Sequence, residues 1–218
     1  MKRLICFTIS LLLLFCLFTS CASKEYRITD GDRVYQIRET GRNRTVEVYE
    51  NDLLVWETKV KISSTVKSND TLGLSVLDLN FDGYSDIMVE TAQSDDKISQ
   101  ICYLQNPSTG LYEESPALAS LYTVDTVADQ QLVLSYTGIS TDANTGKTVE
   151  SVIAYRWQGD GLIPSRKLTI TYYPTEDRYC FGASDYLDGN LEFDEPDERW
   201  FSPNEYAQTD WSFFYYFK

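Results

Sequence analysis

Short runs of β-branched and aromatic residues recur along this chain, and nowhere do apolar residues repeat at helical spacing over a long stretch. That pattern excludes a helical bundle and predicts strands. The runs are Val34–Glu39, Thr45–Tyr49, Leu53–Ile62, Leu72–Leu79, Asp86–Glu90, Ile101–Leu104, Gln131–Tyr136, Glu150–Trp157, Lys167–Tyr173 and Trp211–Phe217. Turn-forming residues separate them: Asp30-Gly31, Glu50-Asn51-Asp52, Asn106-Pro107, Asn144-Thr145-Gly146 and Gly159-Asp160-Gly161. Helical signal is confined to a turn or two at Ala117–Leu121 and Pro203–Ala207. Strands about every 10–15 residues, joined by hairpins, predict an all-β antiparallel domain: a sandwich, a barrel or a small propeller. Periodicity does not choose among these, since no segment repeats at a fixed blade length.

The N-terminus carries an address. Lys2 and Arg3 precede an uncharged apolar run, Leu4 to Phe18, and Phe18-Thr19-Ser20-Cys21 follows. This is the layout of a secretory signal, and small residues ahead of a cysteine make it look like a lipoprotein lipobox. On that reading residues 1–20 are the signal peptide and Cys21 becomes the lipidated first residue. Residues 21–24 form a short tether, and 25–218 form one calcium-binding β domain. Two alternatives remain open at this point: ordinary cleavage near Ala22-Ser23, and retention as a transmembrane helix. The apolar run is shorter than the roughly 20 residues a spanning helix prefers. A lipid anchor at Cys21 places the protein at the membrane of a bacterial cell envelope, with its domain outside the cytoplasm.

Removing residues 1–20 takes two of the 19 basic residues and none of the 33 acidic ones, so the mature chain carries a net charge of −16. Such a balance argues against nucleic acid or anionic lipid as a partner and favours cationic ones. Past Cys21 only Cys102 and Cys180 remain, in strand-like contexts that suit either a disulfide or two buried thiols. The chain has no histidine, which removes Ser-His-Asp and Cys-His catalysis and the common zinc hydrolases. No phosphate-binding glycine loop is present. A carboxylate-pair glycosidase needs no histidine and is the enzymatic alternative; otherwise the chain reads as non-enzymatic.

One motif carries specific chemistry. Between two apolar runs stands Asp78-Leu79-Asn80-Phe81-Asp82-Gly83-Tyr84-Ser85-Asp86. Alternate side-chain oxygens from Asp78, Asn80 and Asp82 lead into a glycine that permits a sharp turn. The carbonyl of Tyr84 and the carboxylate of Asp86, directly or through water, complete an all-oxygen set. A flexible loop with many oxygens suits Ca2+ better than the smaller, stricter Mg2+. An EF-hand would place a Glu at the twelfth loop position, where Val89 stands within a β-like run, so the motif is not an EF-hand.

This motif resembles the calcium loops of FG-GAP and VCBS-type β-propeller repeats, and more closely those of bacterial lipoproteins with a single such loop. In those proteins a strand and a Tyr-x-x-x-Pro-x-x-Gly turn follow, matched here by Tyr103-Leu-Gln-Asn-Pro107-Ser-Thr-Gly110. The resemblance spans about residues 74–115. It implies a propeller-like domain with one structural calcium. Some proteins of this architecture inhibit lysozyme-like peptidoglycan hydrolases, which implies a basic cell-wall hydrolase or another envelope protein as partner. The Ser-Gly-x-x-Tyr motif of known lysozyme inhibitors does not occur, so no inhibitory residue is carried over. A second acidic stretch, Asp185 to Glu198, lacks the alternating frame and reads as a hairpin and a solvated loop, with Asp194, Glu195, Asp197 and Glu198 available to a basic partner. The C-terminal Trp211–Phe217 reads as a closing strand, with a sugar-binding aromatic platform as the alternative.

Overall fold

The computed structural model describes residues 23–66, 69–94, 97–187, 190–191 and 199–208. Cys21, the acidic residues 192–198 and the aromatic run Trp211–Phe217 lie outside the described residues. The fold is all-β, as the alternation predicts. Among the described residues three antiparallel sheets account for it, and none of them closes into a barrel. The chain divides into two compact units between Lys61 and Ile62.

The first unit is a meander of β1 (Lys24–Asp30), β2 (Arg33–Thr40), β3 (Asn43–Glu50) and β4 (Leu53–Lys61), paired in that order. Tyr35 stands opposite Val48, and Ile37 opposite Val46. All four are fully buried, so alternate positions of the central strands make one apolar face. The β3–β4 turn uses Asn51 and Asp52, both at positive φ, the twist that two-residue hairpins need. Arg44 is wholly buried and pairs with Glu39 at 3.0 Å. Arg38 and the Tyr49 hydroxyl both donate to Glu47. β1 eluded the sequence pattern because it is an edge strand with only Tyr26 and Ile28 half-buried.

The second unit opens with a four-stranded meander: β5 (Leu74–Leu77), β6 (Asp86–Gln93), β7 (Ile98–Gln105) and β8 (Tyr112–Glu114). A seven-stranded sheet follows. Its members are β9 (Val124–Val127), β10 (Leu132–Thr141), β11 (Thr148–Gln158), β12 (Gly161–Tyr173), β13 (Arg178–Leu187), β14 (Asn190–Leu191) and β15 (Arg199–Phe201). Their order is β14-β13-β12-β11-β10-β9, with β15 pairing to β13. Leu79, Cys102, Leu118, Leu121, Val124 and Val133 form one buried cluster, against which Tyr155 and Trp157 pack. Residues from both sheets meet there, so the β5–β6 connection is rooted in the core. The expected helical turn at Ala117–Leu121 is a pair of hydrogen-bonded turns. Pro203–Gln208 is a short helix closed by a capping box, in which Ser202 and Glu205 satisfy each other's backbone N–H groups. Cys102 and Cys180 are both buried and form no disulfide with each other, which decides between the two readings of the pair.

Candidate metal-binding loop and adjoining groove

The motif is the connection between β5 and β6. Leu77 pairs directly with Asp86, so residues 78–85 form a loop pinched shut at its base by the ladder. Two apolar side chains hold it down. Leu79 is fully buried, and Phe81 packs on the same cluster from a left-handed backbone conformation, φ 62°. Gly83 takes φ 88° at the turn, a region in which L side chains are strained.

The polar side chains fold back on the loop's own backbone. The Asp82 N–H donates to Asp78 Oδ1 at 3.1 Å and the Gly83 N–H to Asp78 Oδ2 at 2.9 Å. Asn80 Oδ1 accepts from the Asp82 N–H at 3.2 Å, and Asn80 Nδ2 donates to Asp82 Oδ2 at 2.9 Å. Asp82 Oδ1 accepts the Tyr84 N–H at 2.9 Å. These bonds explain why the motif needs short side chains carrying oxygen at alternate positions: each reaches a backbone donor two to five residues on.

Asp86 is different. It is fully buried at the start of β6, where its Oδ2 accepts the Leu79 N–H at 2.7 Å and its Oδ1 the Gln105 N–H at 2.8 Å. Burial pushes its carboxyl up to about 7. The two N–H donors act against that, and the negative charges of Asp82 and Asp78 add to it. The Cys102 thiol is likewise pushed up to about 12, by burial first and by Asp86 second.

The structure therefore gathers Asp78, Asn80, Asp82 and Asp86 on one short loop, with Tyr84 on its exposed side. The donor set fits a hard cation in kind, being all oxygen, with three acids whose charges repel. The side chains are turned onto backbone N–H groups instead of a common centre. Among the described residues no group of three or more His, Cys, Asp or Glu side chains is already assembled to hold a metal ion.

Sequence reasoning missed three neighbours. Gln105 supplies a donor to Asp86 from the end of β7. The Trp157 indole N–H donates to the Leu79 carbonyl at 2.8 Å from β11. Beside the loop lies an open groove of about 480 Å³ lined by Asn80, Asp82, Glu113, Glu114, Trp157 and Asp160, with Pro107 and Pro116 among its apolar parts. The Tyr103–Gly110 element forms the β7–β8 hairpin, whose tip is tied by the Gly110 N–H to the Asn106 carbonyl at 2.8 Å. No local signal pairs residues so far apart in sequence. Asn80, Asp82 and the turns at Asn106-Pro107 and Gly159-Asp160-Gly161 are legible singly in the sequence, but not their convergence on one groove. Of the second acidic stretch, Asp185 forms an ion pair with Arg166 at 2.6 Å. Among the described residues no helix is long and apolar enough to cross a membrane.

No protein-family model matches the chain, and no curated protein matches it. A solved structure described as that of a Xanthomonas type IV secretion system related protein is similar to it at a TM-score of 0.49 and 14% identity, over 77% of this chain and 91% of that one.

Proposed function

We propose that this chain is a calcium-binding lipoprotein of the bacterial cell envelope, held to the membrane by a lipid on Cys21 and acting as a non-enzymatic binding module. The observation that carries the metal reading is Asp86: a carboxylate fully buried beside the acids Asp82 and Asp78, which raise its pKa further. A cation at the loop relieves that repulsion. Asp78, Asn80, Asp82, Asp86 and the Tyr84 carbonyl are the groups that would hold it, with Gly83 permitting the turn. Calcium supplies positive charge and a fixed centre for the loop, and no open reactive position is required of it. The chain's own part is to keep Leu79 and Phe81 in the core so that the oxygens stay on one short arc.

The test is a thermal melt of the mature protein in EDTA and in calcium, beside Asp82→Ala. Calcium is expected to stabilise the native chain by about 2.7 kcal/mol at a concentration 100-fold above Kd, and the substitution to remove most of that gain. Identical melts in both conditions, with bound metal excluded by elemental analysis, would sink the reading.

A second reading, inhibition of a basic peptidoglycan hydrolase, is favoured by the groove. Asp82, Glu113, Glu114 and Asp160 give it a negative lining and Trp157 an aromatic surface, a combination that complements a cationic loop. It predicts that Glu113→Lys/Glu114→Lys weakens capture and inhibition of a basic lysozyme. Inhibition unchanged by that double substitution would remove the groove from consideration.

A further inference from the structure

The net charge of the mature chain conceals an unequal distribution. Residues 62–218 carry 9 basic and 25 acidic side chains, whereas residues 24–61 carry eight of each, so the whole excess belongs to the second unit. Within the first unit the eight pairs are segregated by the register of the sheet. Tyr26, Ile37, Val46 and Thr58 stand abreast and mark its middle. On the side of the β2–β3 turn lie Lys24, Arg38, Arg42, Arg44, Lys59 and Lys61, against only Glu25 and Glu39. On the other side Arg27 and Arg33 face six acids, Asp30, Asp32, Glu47, Glu50, Asp52 and Glu57. The sheet is a charge dipole along its strands.

Its positive end is also the end where the chain enters. Lys24 is the first residue of β1 and stands opposite Glu39, which in turn stands opposite Arg44. Glu39 is already engaged by buried Arg44, and Glu25 by Arg27, so the two acids at this end have their charges met. Arg42 at the turn and Lys59 and Lys61 on β4 are exposed. Lys24 lies three residue steps beyond Cys21, and a chain that short reaches at most about 11 Å. That is close to the screening length in about 0.1 M salt, roughly 10 Å. Any surface that holds Cys21 is therefore felt electrostatically by this end of the sheet.

We propose that the Lys24–Arg42–Lys59–Lys61 end of the first sheet is a membrane-docking surface for anionic lipid headgroups, which sets the orientation of the protein on the bilayer. The proposal rests on the lipid anchor at Cys21. The anchor brings the basic end to the bilayer, and headgroup phosphates complement it. The excess of 25 acids over 9 basic residues in 62–218 gives that unit a net charge that the same surface repels. This local reading departs from the expectation drawn from net charge alone, which set anionic lipid aside as a partner.

The experiment uses the full chain, expressed with its signal in a bacterium and purified in detergent. It is reconstituted into vesicles of phosphatidylcholine alone or mixed with phosphatidylglycerol. Acylation rates of individual lysines are then read by mass spectrometry. Lys59 and Lys61 are expected to react several-fold more slowly on anionic vesicles, with Lys147 and Lys167 unchanged. Molar salt or Arg42→Glu is expected to reduce the difference. Equal rates at Lys59 and Lys61 on both vesicles, with a lipid detected on the Cys21 peptide, would overturn the docking surface alone. A Cys21 peptide without lipid would overturn the anchor reading, and the docking surface with it.

Discussion

Trp157 and Leu79, 78 residues apart, are joined by an indole N–H to carbonyl hydrogen bond of 2.8 Å. Leu79 sits in the second position of the acidic loop, and Trp157 near the end of a strand in the other sheet of the same unit. The backbone of the loop is thus fixed from outside as well as by its own side chains. Replacing Trp157 by Phe keeps much of the packing and removes the donor. The expected cost is about 1–2 kcal/mol in urea unfolding, from a partly buried carbonyl left without that partner. If the loop binds calcium, the same substitution weakens the affinity measured by calorimetry.

Acidity acts on Asp86 with a definite sign. Its carboxyl is held at about 7 in the folded chain, above the ordinary 3.8. A carboxyl raised by folding makes the folded state bind the extra proton, so its favourable contribution is complete below the unfolded pKa and lost as pH rises through the folded one. In EDTA the melting temperature is therefore expected to rise as pH falls from about 7.5 towards 5. With calcium present the trend reverses, because a bound cation needs the ionised carboxylate. Melts flat across that range in EDTA would contradict the assignment.

Gly73 and Gly83 both have positive φ, but their surroundings differ. A Cβ on Gly73 would lie 2.7 Å from the Glu90 Cβ, whereas one on Gly83 meets nothing within 4 Å. Gly73→Ala combines a left-handed penalty with overpacking, and about 2–4 kcal/mol is expected. Gly83→Ala carries the conformational cost alone, about 1 kcal/mol. Chemical denaturation of the two variants side by side checks the difference.

The thiols give a chemical test of the core. Cys102 and Cys180 are 1% and 7% exposed and are not bridged to each other. The Cys102 thiol, pushed up to about 12, holds almost no thiolate at neutral pH. A disulfide-exchange reagent is expected to titrate neither residue quickly in the native mature protein and both after denaturation. Absence of titratable thiol in the denatured, unreduced protein would mean the two are bridged.

Most of the strands were legible from alternation, because half-buried strands impose it. Val34–Glu39, Thr45–Tyr49 and Glu150–Trp157 each fall inside an observed strand. The strands that were missed lack the signal for physical reasons. β1 exposes five of its seven residues at a sheet edge. β13 runs through Gly182-Ala183-Ser184, where no side chain is large enough to mark a face. β8 and β9 are three and four residues long, too short for a period. At the candidate site the oxygen-bearing residues were visible because their spacing is local. The burial of Asp86, the Gln105 and Trp157 donors and the acidic groove all depend on contacts between strands distant in sequence, and residue spacing does not encode those.

The loop's hydrogen bonds also imply a folding order. Those from Asp78, Asn80 and Asp82 close over two to five residues, the Leu79–Asp86 bond over seven, Asp86–Gln105 over 19, and Trp157–Leu79 over 78. Closure entropy grows with separation, so the local bonds can form while the distant sheet is still unmade, and the tryptophan bond forms late. A defect at Trp157 would then show itself mainly as faster unfolding, and one at Asp86 as slower folding. The acidic loop is thereby a candidate nucleus for its unit, as well as its candidate site.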